Sequence, residues 1–142
     1  MDFEELKMPR ATGLKFVLAA KELVKETIKV QEEKELSMTF RHRGFYGKVE
    51  FSDMLPLVSV HISKKLKEKI TEEDKILVKK VNTIAPTYKN VNPALLELNI
   101  SKNTCVSGTV VFLEGGFNEE IFLKAVNQCC DKLQAFLDEK EI

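Results

Sequence analysis

Two periods of apolar residues occur along the chain, and each predicts a different kind of element. Apolar residues three and four positions apart, typical of a helix with one buried side, run from Leu14 to Val30 and again from Asn118 almost to the C-terminus. A two-residue alternation runs from Met38 to His42, from Lys48 to Phe51 and from Val58 to Ser63. Such clean alternation indicates antiparallel strands with one buried face and one wet face.

Both helices in the second half of the chain carry recognisable start signals. Thr71 and Asp74 form a capping-box pattern, with Asp in place of the usual Glu or Gln. Asn118 is a good N-cap, and Phe117 before it is placed to pack on Phe122 as a hydrophobic staple. The last helix has one apolar row, which we predict to be buried: Phe122, Val126, Cys129, Leu133 and Phe136.

A hairpin is predicted between these two helices. Its strands run from Leu95 to Ser101 and from Thr104 to Leu113, and asparagine in the Lys102-Asn103 turn tolerates the positive φ that a tight turn needs. The element order is therefore α-β-β-β-α-β-β-α, which predicts a two-layer α+β fold with a five-stranded antiparallel sheet. Because the sequence has no repeat or linker, residues 1–142 are expected to form a single domain.

Composition narrows the class of protein. Of the 142 residues, 44% are hydrophobic and 31% are charged, which is ordinary for a globular domain and argues against disorder. The 22 basic residues balance the 22 acidic ones, so we expect no general attraction for nucleic acid or for an anionic membrane. The acidic start from Met1 to Glu5 and the lack of a membrane-length apolar run favour a cytosolic protein.

The three cysteines favour reduced, structural thiols. Cys129 and Cys130 are neighbours on the apolar side of the last helix, where a disulfide between them is badly strained. Cys105 begins a strand, and the sequence leaves its orientation open. His42 and His61 lie far from the cysteines in sequence and no CxxC motif occurs, which disfavours a zinc site. We therefore predict no metal and no cofactor.

No set of catalytic residues stands out. His61 projects from the polar face of its strand beside Ser59 and Ser63, but the sequence supplies neither a group to orient the imidazole nor an oxyanion site. His42, at a strand end, is predicted to lie at a rim or interface. Gly115-Gly116 precedes a helix as in a phosphate-binding turn, but the surrounding glutamates repel anions, which favours a simple strand-to-helix turn. We predict a non-enzymatic protein.

The densest basic region follows the third strand and contains six lysines: Lys64, Lys65, Lys67, Lys69, Lys79 and Lys80. These lysines are able to hold phosphate or RNA if they converge in space. Interleaved glutamates and the lack of aromatic residues among them favour a solvated charged surface instead. A binder of RNA or of a membrane surface is thus an alternative, and it predicts an affinity that falls steeply with salt.

The last third of the chain carries a family resemblance. The run from Leu95 to Asn99, the hairpin, the segment from Leu113 to Glu120 and the closing helix resemble the type III secretion chaperone-like proteins, specifically the bacterial YbjN-like sensory-transduction-regulator group. The resemblance implies a two-layer α+β domain that forms a homodimer, binds another protein and has no catalytic residues. The balanced charge of this chain distinguishes it from the secretion chaperones, which tend to be strongly acidic.

We therefore expect a cytosolic, chaperone-like protein-binding module that forms a homodimer. The residues leave two further alternatives open. One is a small-ligand binder or enzyme with a pocket between sheet and helices and with His61 or Cys105 at its edge. The other is a different small α+β adaptor, profilin-like or roadblock-like, with the same order of elements.

Overall fold

The computed structural model describes residues 26–31, 36–51, 57–83, 91–112 and 118–140. Within these ranges the chain forms six strands and two helices. In chain order they are β1 (Glu26–Gln31), β2 (Leu36–His42), β3 (Phe45–Phe51), β4 (Leu57–Lys65), α1 (Glu72–Asn82), β5 (Leu95–Asn99), β6 (Thr104–Phe112) and α2 (Glu119–Lys140). The strands form one antiparallel sheet in the order β1-β2-β3-β4-β6-β5.

Both helices pack on the same face of the sheet. α2 lies against β4 and β6, and α1 packs against α2 and β5. Alternate strand residues point into this interface and are fully buried there, among them Met38, Phe40, Val49, Val58, Val60 and Ile62. Because each fully buried apolar side chain stabilises the fold by about 1.5–3 kcal/mol, the interface between helices and sheet is the main source of stability.

The predicted strands are confirmed, whereas the first helix is partly wrong. All five strands expected from the sequence are present and antiparallel, as β2 to β6. The helix predicted from Leu14 to Val30 fails at its C-terminal end, because Glu26–Gln31 forms β1 and pairs with β2. β-Branched residues, which favour extended backbone, make up half of β1. The rest of that predicted helix lies outside the described residues.

Two tight turns depend on residues with positive φ. His42 pairs with Phe45, so Arg43 (φ 53°) and Gly44 (φ 83°) alone connect β2 to β3. A two-residue hairpin turn with positive φ at both positions matches the twist of its strands. Asn103 (φ 52°) takes the positive-φ position of the β5–β6 hairpin, as predicted, but the turn is longer than expected and spans residues 100–103.

The predicted helix starts are observed. At α1 the Thr71 hydroxyl accepts from the Asp74 N–H at 3.2 Å, and the Asp74 carboxylate accepts from the Thr71 N–H at 2.9 Å, which completes the capping box. At α2 the Asn118 side chain accepts from the N–H of Ile121 at 3.0 Å. Phe117, the proposed staple residue, lies outside the described residues. These side chains satisfy backbone N–H groups that have no partner within the helix.

The apolar row predicted for the last helix is confirmed. Phe122, Val126, Cys129, Leu133 and Phe136 are each at most 1% exposed. Lys132 of the same helix is also buried, which the sequence pattern did not indicate, and its Nζ donates to the carbonyl of Ala94 at 2.6 Å. Burial lowers the pKa of Lys132, and the neighbouring Cys129 partly opposes this effect. The lysine thereby ties α2 to the segment that leads into β5.

Both edges of the sheet are modified against pairing with another strand. At the β5 edge, Asn82 of α1 accepts from the N–H of Leu96 at 2.8 Å and donates to its carbonyl at 3.0 Å. The asparagine amide thus occupies the hydrogen bonds that a neighbouring strand would use. At the opposite edge, the register of β1 against β2 shifts between Thr27 and Lys29. A bulge and an occupied backbone both hinder edge-to-edge association, so the faces of the sheet are the better docking surfaces.

A buried ion pair connects the start of α1 to the end of α2, and we expect it to make stability depend on acid pH. Lys140 Nζ lies 2.9 Å and 3.0 Å from the two carboxylate oxygens of Asp74. Burial by itself raises the pKa of Asp74, but the Thr71 N–H and Lys140 outweigh it and hold the pKa below its ordinary value of 3.8. The folded state therefore favours the carboxylate, and this stabilisation is lost as pH falls through the folded pKa.

Asp74→Asn is expected to lower the free energy of unfolding by about 2 kcal/mol at pH 7, because it removes a charge-assisted bond and leaves Lys140 unpaired. The difference from the wild type should shrink below pH 4. Urea unfolding at pH 7, 4 and 3 measures both effects. Glu73→Gln, an exposed change in the same helical turn, is the control. A pH-independent difference contradicts the assigned role of the carboxylate.

Candidate functional site

One face of the sheet, opposite the helices, is covered by neither described helix; we call it the open sheet face. The residues that pair across the strands and point to it include Tyr46, Lys48, His61, Gly108 and Leu95. Tyr46 and Leu95 are 45% and 56% exposed. The face therefore offers apolar surface for association.

β6 is the strand that makes this face apolar. Its helix side carries the buried Ser107 and Thr109 between Cys105 and Val111, whereas its open side carries Val106, Val110 and Phe112. Leu57 pairs with Phe112, and Leu95 pairs with Gly108, which lies between Val106 and Val110 on the same face of β6. Together these five apolar residues form the β6 patch: Leu57, Leu95, Val106, Val110 and Phe112. If no partner covers this patch, the more apolar face of β6 is exposed to water, which costs free energy.

The inward hydroxyls of β6 are explained by their partners. Residues that pair directly share a face of the sheet, and Thr109 and Ser107 pair with the buried Val60 and Ile62 of β4. The Thr109 hydroxyl donates to the carbonyl of Asn92, so burial does not leave it unpaired. The register of β4 therefore decides the orientation of β6. The sequence of β6 alone favours the opposite orientation, because Val106, Val110 and Phe112 are more apolar than the set that contains Ser107 and Thr109.

A shallow pocket of about 250 Å³ lies on the open sheet face beside His61. The imidazole is exposed, as predicted. It lies close over Gly108: a β-carbon added at this glycine would be 2.9 Å from His61 Cδ2. Glu97 is the only carboxylate among the described residues that line this pocket. His61 faces away from the helices, so a pocket between sheet and helices would have Cys105 and not His61 at its edge.

The thiols face the core. Cys105, Cys129 and Cys130 are each 0% exposed. Burial raises the pKa of Cys105 and Cys129 to about 12 and that of Cys130 to about 11, and the Ser107 hydroxyl beside Cys129 opposes only part of this effect. Such thiols present almost no thiolate at neutral pH and are poor nucleophiles. The structural role predicted for Cys129 and Cys130 agrees with these positions.

His42 also has a structural position. Its Nε2 lies 3.0 Å from Asn127 Oδ1 of α2, and one helical turn further along Arg43 lies 2.7 Å from Asp131. The two contacts hold the β2–β3 turn against α2. His42 thus lies at an interface, as predicted, but the interface is inside the molecule.

Three of the six lysines of the basic region converge. Lys64, Lys65 and Lys67 line a cleft of about 550 Å³ with Arg43 and Lys140, which come from the β2–β3 turn and the end of α2. Lys69, Lys79 and Lys80 do not line it. The sequence indicated the three lysines but gave no sign of Arg43 and Lys140, which are distant in the chain. Gly115-Gly116 lies outside the described residues.

The described residues contain no group of three or more His, Cys, Asp or Glu side chains placed to hold a metal ion. Neither α1 nor α2, the helices that the structure describes, is long and apolar enough to cross a membrane. Comparison of the chain with protein-family models, with curated proteins and with solved structures gives no match. The function is therefore argued from the two surfaces, the open sheet face and the basic cleft.

Proposed function

We propose that this protein is a non-enzymatic, cytosolic protein-binding module of the chaperone-like class, and that it forms a homodimer through the open sheet face. The observation that carries the proposal is the β6 patch: the strand turns Val106, Val110 and Phe112 away from the helices, while two of its four helix-side residues are the hydroxyl-bearing Ser107 and Thr109. Apolar surface in this position is stabilised by a protein partner. The resemblance of residues 95–137 to YbjN-like proteins supports the same class, because it implies the same fold and assembly.

The choice of a face rather than an edge follows from the sheet. The Asn82 amide occupies the backbone of Leu96 at one edge, and the β1 register shift distorts the other. Strand addition, the usual way that an extended peptide joins a sheet, is therefore hindered at both edges. A flat apolar patch, in contrast, is suited to face-to-face packing.

A second copy of the chain is the occupant that the charges of the face support. Lys48 and Glu50, 2.9 Å apart, and Glu97 and Arg41 place both signs of charge around the apolar patch. In a twofold dimer each patch meets its own copy, so a face of one sign would repel itself, whereas a mixed face can pair basic with acidic side chains. The zero net charge of the chain adds no long-range repulsion between copies.

The wild-type protein is expected to be a dimer of about twice the 16.2 kDa chain mass when measured by light scattering after size-exclusion chromatography in reducing buffer. The double variant Leu95→Lys/Phe112→Lys introduces two charges into the β6 patch. We expect it to raise the dimer dissociation constant at least about a hundredfold, because each buried ammonium costs more than 1.4 kcal/mol, the equivalent of a factor of ten.

A matched control keeps the number of changes constant. Ile76 on α1 and Ile100 in the β5–β6 turn are 68% and 63% exposed, and Ile76→Lys/Ile100→Lys adds the same charges away from the patch. This variant should remain dimeric. A wild-type monomer at every concentration contradicts the homodimer and leaves residues 1–25 or a different protein as the occupant of the face. Equal dissociation of both variants contradicts the assignment to the β6 patch.

A further inference from the structure

The basic cleft, lined by Arg43, Lys64, Lys65, Lys67 and Lys140, has no part in the proposed dimer contact. It lies where the β2–β3 turn, the end of β4 and the last turns of α2 meet, and its volume of about 550 Å³ is within the range of small-molecule sites, about 300–1,000 Å³. Five cationic residues line it and Glu68 is the one carboxylate among its described lining residues. This concentration of one charge sign in a concave surface contrasts with the balanced charge of the chain.

Two of the five cations have acidic partners and three do not. Arg43 lies 2.7 Å from Asp131, and Lys140 lies 2.9 Å from Asp74. Lys64, Lys65 and Lys67 form no ion pair with any residue that the structure describes. An anion bound in the cleft supplies the opposite charge, and its attraction to the lysines offsets the repulsion among them. The cleft is thus electrostatically complementary to a multivalent anion.

The backbone that carries two of these lysines is fixed. Leu66 lies between Lys65 and Lys67, and its N–H donates to the carbonyl of Asn103 at 2.8 Å. The Asn103 side chain donates in turn to the carbonyl of Leu66 at 2.5 Å. The Leu66 side chain is also buried, so Lys65 and Lys67 extend from a stretch of backbone that is held in place. A fixed backbone lowers the entropy that a ligand must remove to organise its donors.

The walls of the cleft are partly apolar. Phe45, Leu66 and Leu137 line it together with the cations. An inorganic ion would fill only part of such a cavity and would not contact its apolar wall. An anion joined to an organic body can place its charge on the lysines and its body against the apolar wall. Lysine ammonium groups commonly bind phosphate: they donate hydrogen bonds to its oxygens, and their positive charge attracts the anion.

We propose that the basic cleft binds a small organic phosphate, of the size and charge of a nucleoside polyphosphate, with Lys64, Lys65 and Lys67 as its direct charge partners. The site does not depend on the homodimer, since its lining residues come from one chain and none belongs to the β6 patch. Binding to the folded state alone stabilises it in proportion to ligand concentration. The anion also neutralises charge around the Asp74–Lys140 ion pair without breaking it.

Isothermal titration calorimetry and thermal unfolding test the proposal with four probes: inorganic phosphate, pyrophosphate, adenosine triphosphate and citrate, without divalent metal ions. We expect adenosine triphosphate to bind saturably, to bind at least tenfold more tightly than inorganic phosphate, and to raise the melting temperature. Lys64→Gln/Lys67→Gln should weaken this binding at least tenfold and leave the melting temperature of the unliganded protein unchanged or higher.

Lys79→Gln/Lys102→Gln removes the same charge from exposed lysines outside the cleft and should bind adenosine triphosphate as the wild type does. Equal loss in both double variants overturns the proposal, since it indicates attraction to net charge alone. Failure of all four probes to bind also overturns it. Citrate binding as tight as that of adenosine triphosphate overturns the assignment to phosphate. The Leu95→Lys/Phe112→Lys variant should retain binding, which separates this result from the fate of the dimer.

Discussion

Leu133→Asp is expected to leave the chain unable to reach its native fold at 37 °C. Leu133 is 0% exposed and lies in the row of α2 that packs on β4 and β6. The change removes a buried aliphatic side chain, which costs about 2–5 kcal/mol, and places a carboxylate in the apolar row of α2, where it loses its hydration. Small domains have a free energy of unfolding of about 5–15 kcal/mol, so this substitution removes most of that stability.

Far-UV circular dichroism and urea unfolding at pH 7 measure this loss. Two controls separate burial from helix propensity. Leu133→Met conserves volume and should cost less than about 1.5 kcal/mol. Ala135→Asp, at an exposed position of the same helix, should cost about 0.5–1 kcal/mol through propensity alone. A Leu133→Asp protein with an unchanged melting temperature would show that this face of α2 is not part of the core.

Gly47→Ala is expected to cost about 3 kcal/mol although it adds only one methyl group. Gly47 pairs with Phe40 on the neighbouring strand, and the aromatic ring lies directly over the glycine. A β-carbon at Gly47 would meet the ring Cζ and lie 2.5 Å from Cε2 and 2.9 Å from Cε1. Phe40 is fully buried and cannot move outward, so the added methyl overpacks the sheet.

A double-mutant cycle identifies the steric cause. Phe40→Leu removes the far end of the ring, so Gly47→Ala should cost less in that background than in the wild type. Gly44→Ala is the comparison: its β-carbon meets no atom within 4 Å, but its φ of 83° strains any L-residue. That cost should stay the same with Phe40 or Leu at position 40. An additive Phe40/Gly47 pair in urea unfolding contradicts the steric explanation.

The parts of the fold that the sequence predicted well are those in which local pattern and tertiary packing agree. The row of α2 that contains Phe122 and Leu133 has one helical period and one buried side, and the alternation from Val58 to Ser63 has one wet face. The capping box of Thr71 and Asp74 involves only four consecutive residues, so the start of α1 could be predicted from local sequence alone.

The errors occur where a distant partner overrides the local pattern. Glu26–Gln31 continues a helical pattern in sequence, yet β2 supplies a ladder that makes it a strand. The orientation of β6 follows from its pairing with β4, which places Thr109 opposite Val60. On α1, the apolar side chain of Ile76 is 68% exposed, which the composition of that helix does not indicate. Such outcomes depend on contacts between residues far apart in sequence.

The candidate sites show the same limit. The sequence indicated Lys64, Lys65 and Lys67 as a basic group but could not give its concavity. That property requires Arg43, 21 positions before Lys64, and Lys140, 76 positions after it, to reach the same cleft. The β6 patch was not foreseen either, because the strand from Thr104 to Leu113 was predicted without an assignment of its two faces. Only strand register shows which of its residues face the helices.

The enclosure of all three thiols has a consequence for how the protein ages. Oxidants and alkylating reagents attack thiolates, and a pKa of about 12 for Cys129 leaves almost none while the molecule is closed. Reaction therefore requires a transient opening. A sulfinate or a bulky adduct formed at that moment has no room and no solvation in a site that is 0% exposed. The modified chain cannot refold around the adduct. We therefore expect irreversible loss of the protein under oxidising conditions to follow the frequency of these openings.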